Sequence, residues 1–199
     1  MKIETANLER QELHELIGTV IAPLPIALIS TIGQDGKYNA APFSFVAPVC
    51  LKPPIICVSI GLRQGQKKDT TKNIEFSHDF VVNVVDEALV KPAIQASADY
   101  PSDVDEIKEV GLTAIASEKV QSPRVAESKV SLECRLVQKL ELVEGQGLRS
   151  IVFGEVVLVH VKDELWVEGK IEPSRLRAVG RMGKDLYCRT GDIFEMKPS

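Results

Sequence analysis

Apolar residues at Val130, Leu132, Cys134, Leu136, Leu140 and Leu142 fall on even positions, with Ser131, Glu133, Arg135, Lys139 and Glu141 between them. A period of two over that length does not fit a helix; it predicts one long strand from Lys129 to Val143 with one wet face. The next apolar segment, Ile151 to Val161, is interrupted only by Glu155 and His160. A strand apolar on both sides must be covered on both, by a core on one and by something else on the other, which suggests a subunit interface.

Shorter strands precede this pair. Pro25 to Gly33 reads as a strand, Gly33-Gln-Asp-Gly36 as a tight turn, and Lys37 to Ser44 as a strand that breaks up into an irregular loop. Pro53-Pro54 opens a strand over Ile55–Ile60 that Gly61 closes, and Phe80–Val85 is again strand-like. Lys162-Asp163-Glu164 reads as a hairpin turn into Leu165–Val167. Helices are few. Asn7 is placed to cap one over Leu8–Ile17 that Gly18 ends, and Asp69 or Thr70 to cap another running to about Ser77. Glu87–Ala98 looks helical, and the acidic, turn-rich Asp99–Glu109 segment reads as an excursion packed on the outside. The expectation is a single domain over residues 1–199, mainly β with peripheral helices, in a closed or split antiparallel β-barrel.

The net charge of −4 and the lack of a Lys/Arg block argue against nucleic acid as a partner. No apolar run reaches the ~18 residues of a membrane span. The first residues carry acid and lead into a polar helix, so no secretory leader is expected. The four cysteines, Cys50, Cys57, Cys134 and Cys188, form no CxxC and read as free, mostly buried thiols of a cytoplasmic protein. His14, His78 and His160 are too dispersed for a metal site. No GxGxxG opens a helix, and there is no GxxxxGK[ST] or GxSxG. An enzyme built from this chain would borrow its reactive atoms.

Two segments suit a planar ring with an anionic tail. Asn39-Ala-Ala-Pro-Phe-Ser44 ends a rigid hairpin in small or polar residues that let backbone approach a ring. Lys67-Lys-Asp-Thr-Thr-Lys-Asn73 crowds ammonium, hydroxyl and amide groups at a helix start, where an anion is stabilised. In order along the chain, Pro25-Ile-Ala-Leu-Ile-Ser-Thr31, Gly36, Asn39–Phe45, Pro53-Pro54, Lys68-Asp-Thr70 with Asn73, Gly154-Glu-Val156 and Gly180-Arg181 with Tyr187 resemble the flavin reductase-like, FMN-binding split-barrel family, which includes flavoredoxin. Leu24 departs from it, since many relatives carry arginine there.

The resemblance implies a six-stranded antiparallel barrel, a homodimer, and FMN (rather than FAD) near the subunit interface. Asn39, Ala40, Ala41, Pro42 and Ser44 match the loop that holds the isoalloxazine and ribityl chain, with Phe43 and Phe45 as supports. Lys68, Thr70 and Asn73 match the phosphate site, with Asp69 as a cap. Thr31 either reaches the flavin's polar edge or is satisfied within its strand. Ser59 bonds either a ribityl or phosphate oxygen or a neighbouring carbonyl. Arg181 and Tyr187 match the segment closing over the cofactor; the arginine pairs with phosphate or with the partner subunit, and the tyrosine packs or stacks. His160 is a core histidine or a neighbour of the flavin or nicotinamide. The implied activity is NAD(P)H-dependent flavin reduction, with the nucleotide a transient donor and a flavin or protein as acceptor. The alternatives are a flavoredoxin-like carrier reduced by a ferredoxin-type partner, a non-catalytic FMN-holding protein, and a structural dimer with a vestigial pocket.

Overall fold

The computed structural model describes residues 1–145 and 147–197. Seven strands form one antiparallel sheet: β1 Ala27–Ile32, β2 Tyr38–Phe43, β3 Val46–Leu51, β4 Pro54–Ile60, β5 Asp79–Val84, β6 Val130–Glu144 and β7 Gly147–Val161, in the spatial order β2-β1-β5-β6-β7-β4-β3. The two edge strands, β2 and β3, are separated in sequence by only Ser44 and Phe45. Strands at opposite edges of a sheet joined by two residues force the sheet to curl until its edges meet, which closes the barrel. The Ser59 amide donates to the Phe45 carbonyl at 2.9 Å and fixes this seam against β4. The sheet holds one strand more than the six expected, because Val46–Leu51 continues past the irregular loop and pairs with β4.

Two apolar layers follow from the alternation along β1. Ala27 and Ile29 point into the barrel with Phe43, Val58, Ile60, Ile74, Phe80, Val82, Cys134 and Val152. Ile26 and Leu28 face outward against Val85, Leu89, Ala93, Ile107 and Val125. Gly154 is required inside the barrel: a Cβ there would stand 2.5 Å from the Phe80 ring and 3.1 Å from Cys134 Cβ. Gly154→Ala is therefore expected to destabilise by about 1–3 kcal/mol, read as a lower denaturant midpoint with unchanged slope.

Several expectations are corrected. The wet face of β6 is buried where it begins: Ser131 is 3% and Glu133 0% exposed, whereas Leu142 is 51% and Val143 81% exposed. β6 pairs with β5 only over Ser131–Arg135 and then continues with β7, which itself pairs with β4 over Ser150–Glu155. Register shifts at Glu133/Cys134 and Leu136/Gln138 break the simple alternation. The first helix, α1, spans Arg10–Val20 rather than residues 8–17, because Glu9 and Glu12 form a reciprocal capping box and Asn7 belongs to a preceding turn. Gly18 does not end it. It lies inside the helix, where a Cβ would come within 3.3 Å of Gly183 Cα.

Helix α2 spans Asp69–Ser77, α3 shortens to Val90–Gln95, and α4, Glu106–Glu109, emerges from the acidic excursion. That excursion is not wholly external, since Glu106 and Ile107 are buried. After β7, Asp163–Leu165 forms a 3-10 turn and Trp166–Val167 pairs with Lys170–Ile171. All four cysteines are free, but only Cys134 is buried and Cys50 is exposed.

Candidate functional site

The seam between β2 and β3 lies beside the start of α2, and the side chains there form one network. Asn39 is buried; its Nδ2 donates to Glu106 Oε1 at 2.6 Å, and its Oδ1 accepts from Thr70 Oγ1 at 3.0 Å and from Thr31 Oγ1 at 3.3 Å. Asn73 Nδ2 donates to Thr31 Oγ1 at 3.1 Å. Four predicted residues thus tie β1, β2 and α2 together, and Glu106 adds α4.

Lys68, in extended backbone, occupies the cap position of α2, and no side chain caps the helix. Neither Asp69 nor Thr70 fills that role: Asp69 is the first helical residue and accepts from Lys72 Nζ at 2.9 Å, while Thr70 turns to Asn39. The positive end of the α2 dipole therefore opens onto its surroundings without a side-chain acceptor.

Those surroundings are two clefts that share Pro42, Leu62 and Lys68. The first, about 250 Å³, is walled by Asn39, Ala41, Thr70, Glu106 and the Ala96–Asp99 turn. The second, about 430 Å³, is walled by Ser44, Phe45, Ser59, Arg149, Arg181 and, from α1, Arg10 and His14. Lys68 is half-buried with Nζ 5.3 Å from the Phe43 ring centroid. Burial, then Arg63 and Arg149, hold its pKa below the usual lysine range. Arg63 itself pairs with Asp99 at 2.8 Å.

Arg149 Nη1 donates to Ser59 Oγ at 3.3 Å, and its guanidinium lies 5.9 Å from the Phe45 centroid. Ser59 thereby meets an arginine rather than a carbonyl. The His14 ring is 5.8 Å from the same phenyl. Burial first, then Arg181, Arg10 and Arg149, lower the His14 pKa below the usual histidine value. Arg181 is held by the carbonyls of Gly183 at 2.9 Å and Lys184 at 2.7 Å, contacts that leave its positive charge in place at the cleft wall.

Asn39, Ala41, Pro42, Ser44, Ser59, Lys68, Thr70 and Arg181 thus surround the two clefts. Thr31 and Asn73 stand behind that wall and reach it only through Asn39. Ala40 points the other way, fully buried in the outer apolar layer. Tyr187 lines a separate groove with Val90, Ile94, Val179 and Cys188. His160 is remote as well, its Nε2 2.6 Å from Glu133 Oε1. Among the described residues no cluster of His, Cys, Asp and Glu is arranged to hold a metal ion.

Sequence reasoning missed Arg10, His14, Arg63, Glu106 and Arg149. An isolated arginine on a strand or in a polar helix gives no local signal, because its role comes from the curl of the sheet. Glu106 had a weak one, an acid directly before the apolar Ile107 in an otherwise polar stretch. As built, the clefts offer small side chains at Ala41-Pro42 for a planar group and an open helix terminus with Lys68 for an anion.

Known proteins share this architecture. The structure superposes on nitrilotriacetate monooxygenase component B from Bacillus cereus with a TM-score of 0.93 at 30% identity, covering 98% of each chain. It superposes on the 2-nitrobenzoate 2-nitroreductase NbaA of Pseudomonas fluorescens with a TM-score of 0.90 at 29% identity, covering 100% of this chain and 96% of the other. A putative flavin reductase with a split barrel domain from Shewanella frigidimarina gives 0.86 at 24% identity, with full coverage of both chains. The family model for the flavin reductase like domain matches residues 21–173. With most of its length matched and its sheet closed at the β2–β3 seam, this chain belongs to the flavin reductase-like family of split-barrel proteins.

Proposed function

We propose that the protein binds FMN across the two clefts and acts as an NAD(P)H-dependent flavin reductase, as a cytoplasmic homodimer. The observation that carries this reading is the uncapped start of α2, with Lys68 and Thr70, opening onto a cleft bounded by small residues of the barrel seam. The residues present fit the group: a helix terminus and an ammonium suit a terminal phosphate dianion, which FMN carries and FAD does not. The combined clefts are of the size that holds one mononucleotide.

Bound FMN would supply a ring that accepts hydride from a nicotinamide. The protein's part is to hold and expose that ring. Ala41 and Pro42 let it lie close to the backbone, Lys68 and the α2 amides take the phosphate, and Arg149 fixes Ser59 at the wall. Arg10, Arg149 and Arg181 give the second cleft a positive field that attracts the anionic nucleotide donor. The homodimer reading draws on the exposed apolar residues Val137, Leu140, Leu142, Val143 and Leu148 of β6 and β7.

Lys68→Ala and Thr70→Ala are each expected to weaken FMN binding by about tenfold, measured by flavin fluorescence quenching. Unchanged affinity in both variants would remove the phosphate site. The activity is tested by adding NADH or NADPH to the FMN-loaded protein without oxygen. Loss of the visible flavin band is the expected result. A band that survives both nucleotides and bleaches with reduced ferredoxin would make the protein an electron carrier instead. The likeness to NbaA favours a second reading, in which the flavin passes its electrons directly to a nitroarene. Reoxidation of the bleached protein by 2-nitrobenzoate, under conditions where free flavin leaves it reduced, would select that reading.

A further inference from the structure

Glu106 is 6% exposed, and one of its oxygens is already explained: Oε1 accepts from Asn39 Nδ2 at 2.6 Å. The other is not. Oε2 is buried without a hydrogen-bond partner, the sole buried side-chain oxygen or nitrogen in that condition among the described residues. Such an atom is costly unless something completes it. Glu106 also lines the first cleft, beside Thr70, Lys68 and Asn39. An unsatisfied carboxyl oxygen on a residue that lines a polar cleft is open to completion by a ligand's hydroxyl.

We propose that Glu106 is a ligand-reading residue whose Oε2 hydrogen-bonds a hydroxyl of the ribityl chain when a flavin is bound. The inference rests on the FMN reading and deepens it, because a phosphate placed at Lys68 and the α2 terminus puts the adjoining polyol in this cleft.

A hydroxyl both donates and accepts, so it can complete Oε2 whether the carboxyl is ionised or neutral. Burial, reinforced by the charge of Asp69 on α2, raises the Glu106 pKa, while Asn39 and backbone amides oppose the rise. The charged groups around the cleft are Asp69 and Lys68 at the start of α2, Arg63 after β4, and Asp99 in the turn after α3. On its own element Glu106 is flanked by Asp105, Lys108 and Glu109. Arg63 is engaged by Asp99 and Lys72 by Asp69, while the Lys68 ammonium lines the same cleft as Glu106.

The test is the affinity for three flavins at neutral pH: FMN, riboflavin, which lacks the phosphate, and lumiflavin, which lacks the ribityl chain as well. Glu106→Ala should weaken FMN and riboflavin by about tenfold while leaving lumiflavin unaltered. In Glu106→Gln the amide keeps both the bond to Asn39 and a donor toward the ligand, so affinity for FMN and riboflavin should persist. Loss of FMN affinity alone in Glu106→Ala, with riboflavin unaltered, would assign the effect to the phosphate and overturn the proposal. Undiminished affinity for FMN and riboflavin in Glu106→Ala, or an equal loss for lumiflavin, would overturn it too. Failure of every flavin to bind is a separate result, which removes the FMN reading itself and the proposal with it.

Discussion

Glu133→Ala should cost about 3–5 kcal/mol of stability, enough to unfold a marginal domain, because it strips a fully buried carboxylate from several partners at once. The amides of Glu118 and Lys119 donate to its two oxygens at 2.8 and 2.6 Å, and His160 Nε2 lies 2.6 Å from Oε1. Arg124 Nε is 3.8 Å away. Alanine leaves the two amides and the imidazole without an acceptor. Burial pulls the Glu133 pKa up, but the bonds from Glu118, His160 and Lys119 outweigh it and set it below the ordinary carboxylate range. A depressed folded pKa contributes stability that is present above the unfolded value of about 4.3 and is lost as pH falls through the folded value. Chemical denaturation from neutral pH down to acid should show wild-type stability falling toward the variant's; parallel curves would contradict this role.

Asn83→Leu should be nearly as damaging, at about 3 kcal/mol or more. The amide is fully buried and uses both ends: Nδ2 donates to the Leu28 carbonyl at 3.0 Å and to Ser30 Oγ at 2.9 Å, while Oδ1 accepts from Val125 N at 3.0 Å and from Ser131 Oγ at 2.9 Å. Leucine fills the space and orphans all four. Denaturant unfolding should show a lower midpoint with an unchanged slope. Flavin affinity of the folded fraction should be retained, since Asn83 is not among the residues lining either cleft. A midpoint within experimental error of the wild type would show that the network contributes little.

These two residues also show where the sequence speaks and where it is silent. The alternation from Val130 onward located β6, and the turn residues Gly33 to Gly36 located the β1–β2 hairpin, because both signals are local. Glu133 lies on the face that alternation marks as wet, yet it is buried, since residues 118 and 119 cross over it. Asn83 interrupts an apolar strand and so announces a buried network, but its partners lie 42 to 55 residues away in sequence. The same division runs through the candidate site. Asn39–Ser44 and Lys68–Thr70 were legible as contiguous polar or small segments. Arg149 and His14 were not, because the seam that brings them to Phe45 exists only once β2 and β3 close the barrel. Tyr187, legible by its neighbourhood to Arg181, lines another groove although the two are direct partners where β8, Val179–Arg181, pairs with β9, Tyr187–Arg189.

The central claim is that this barrel seam grips a flavin by its ring and its phosphate. It is tested most directly by titrating the purified protein with FMN while following flavin fluorescence and the visible spectrum. Saturable quenching at one FMN per chain, with riboflavin binding measurably more weakly, is the result expected. An unquenched, unshifted flavin at FMN concentrations well above those of the protein would contradict it.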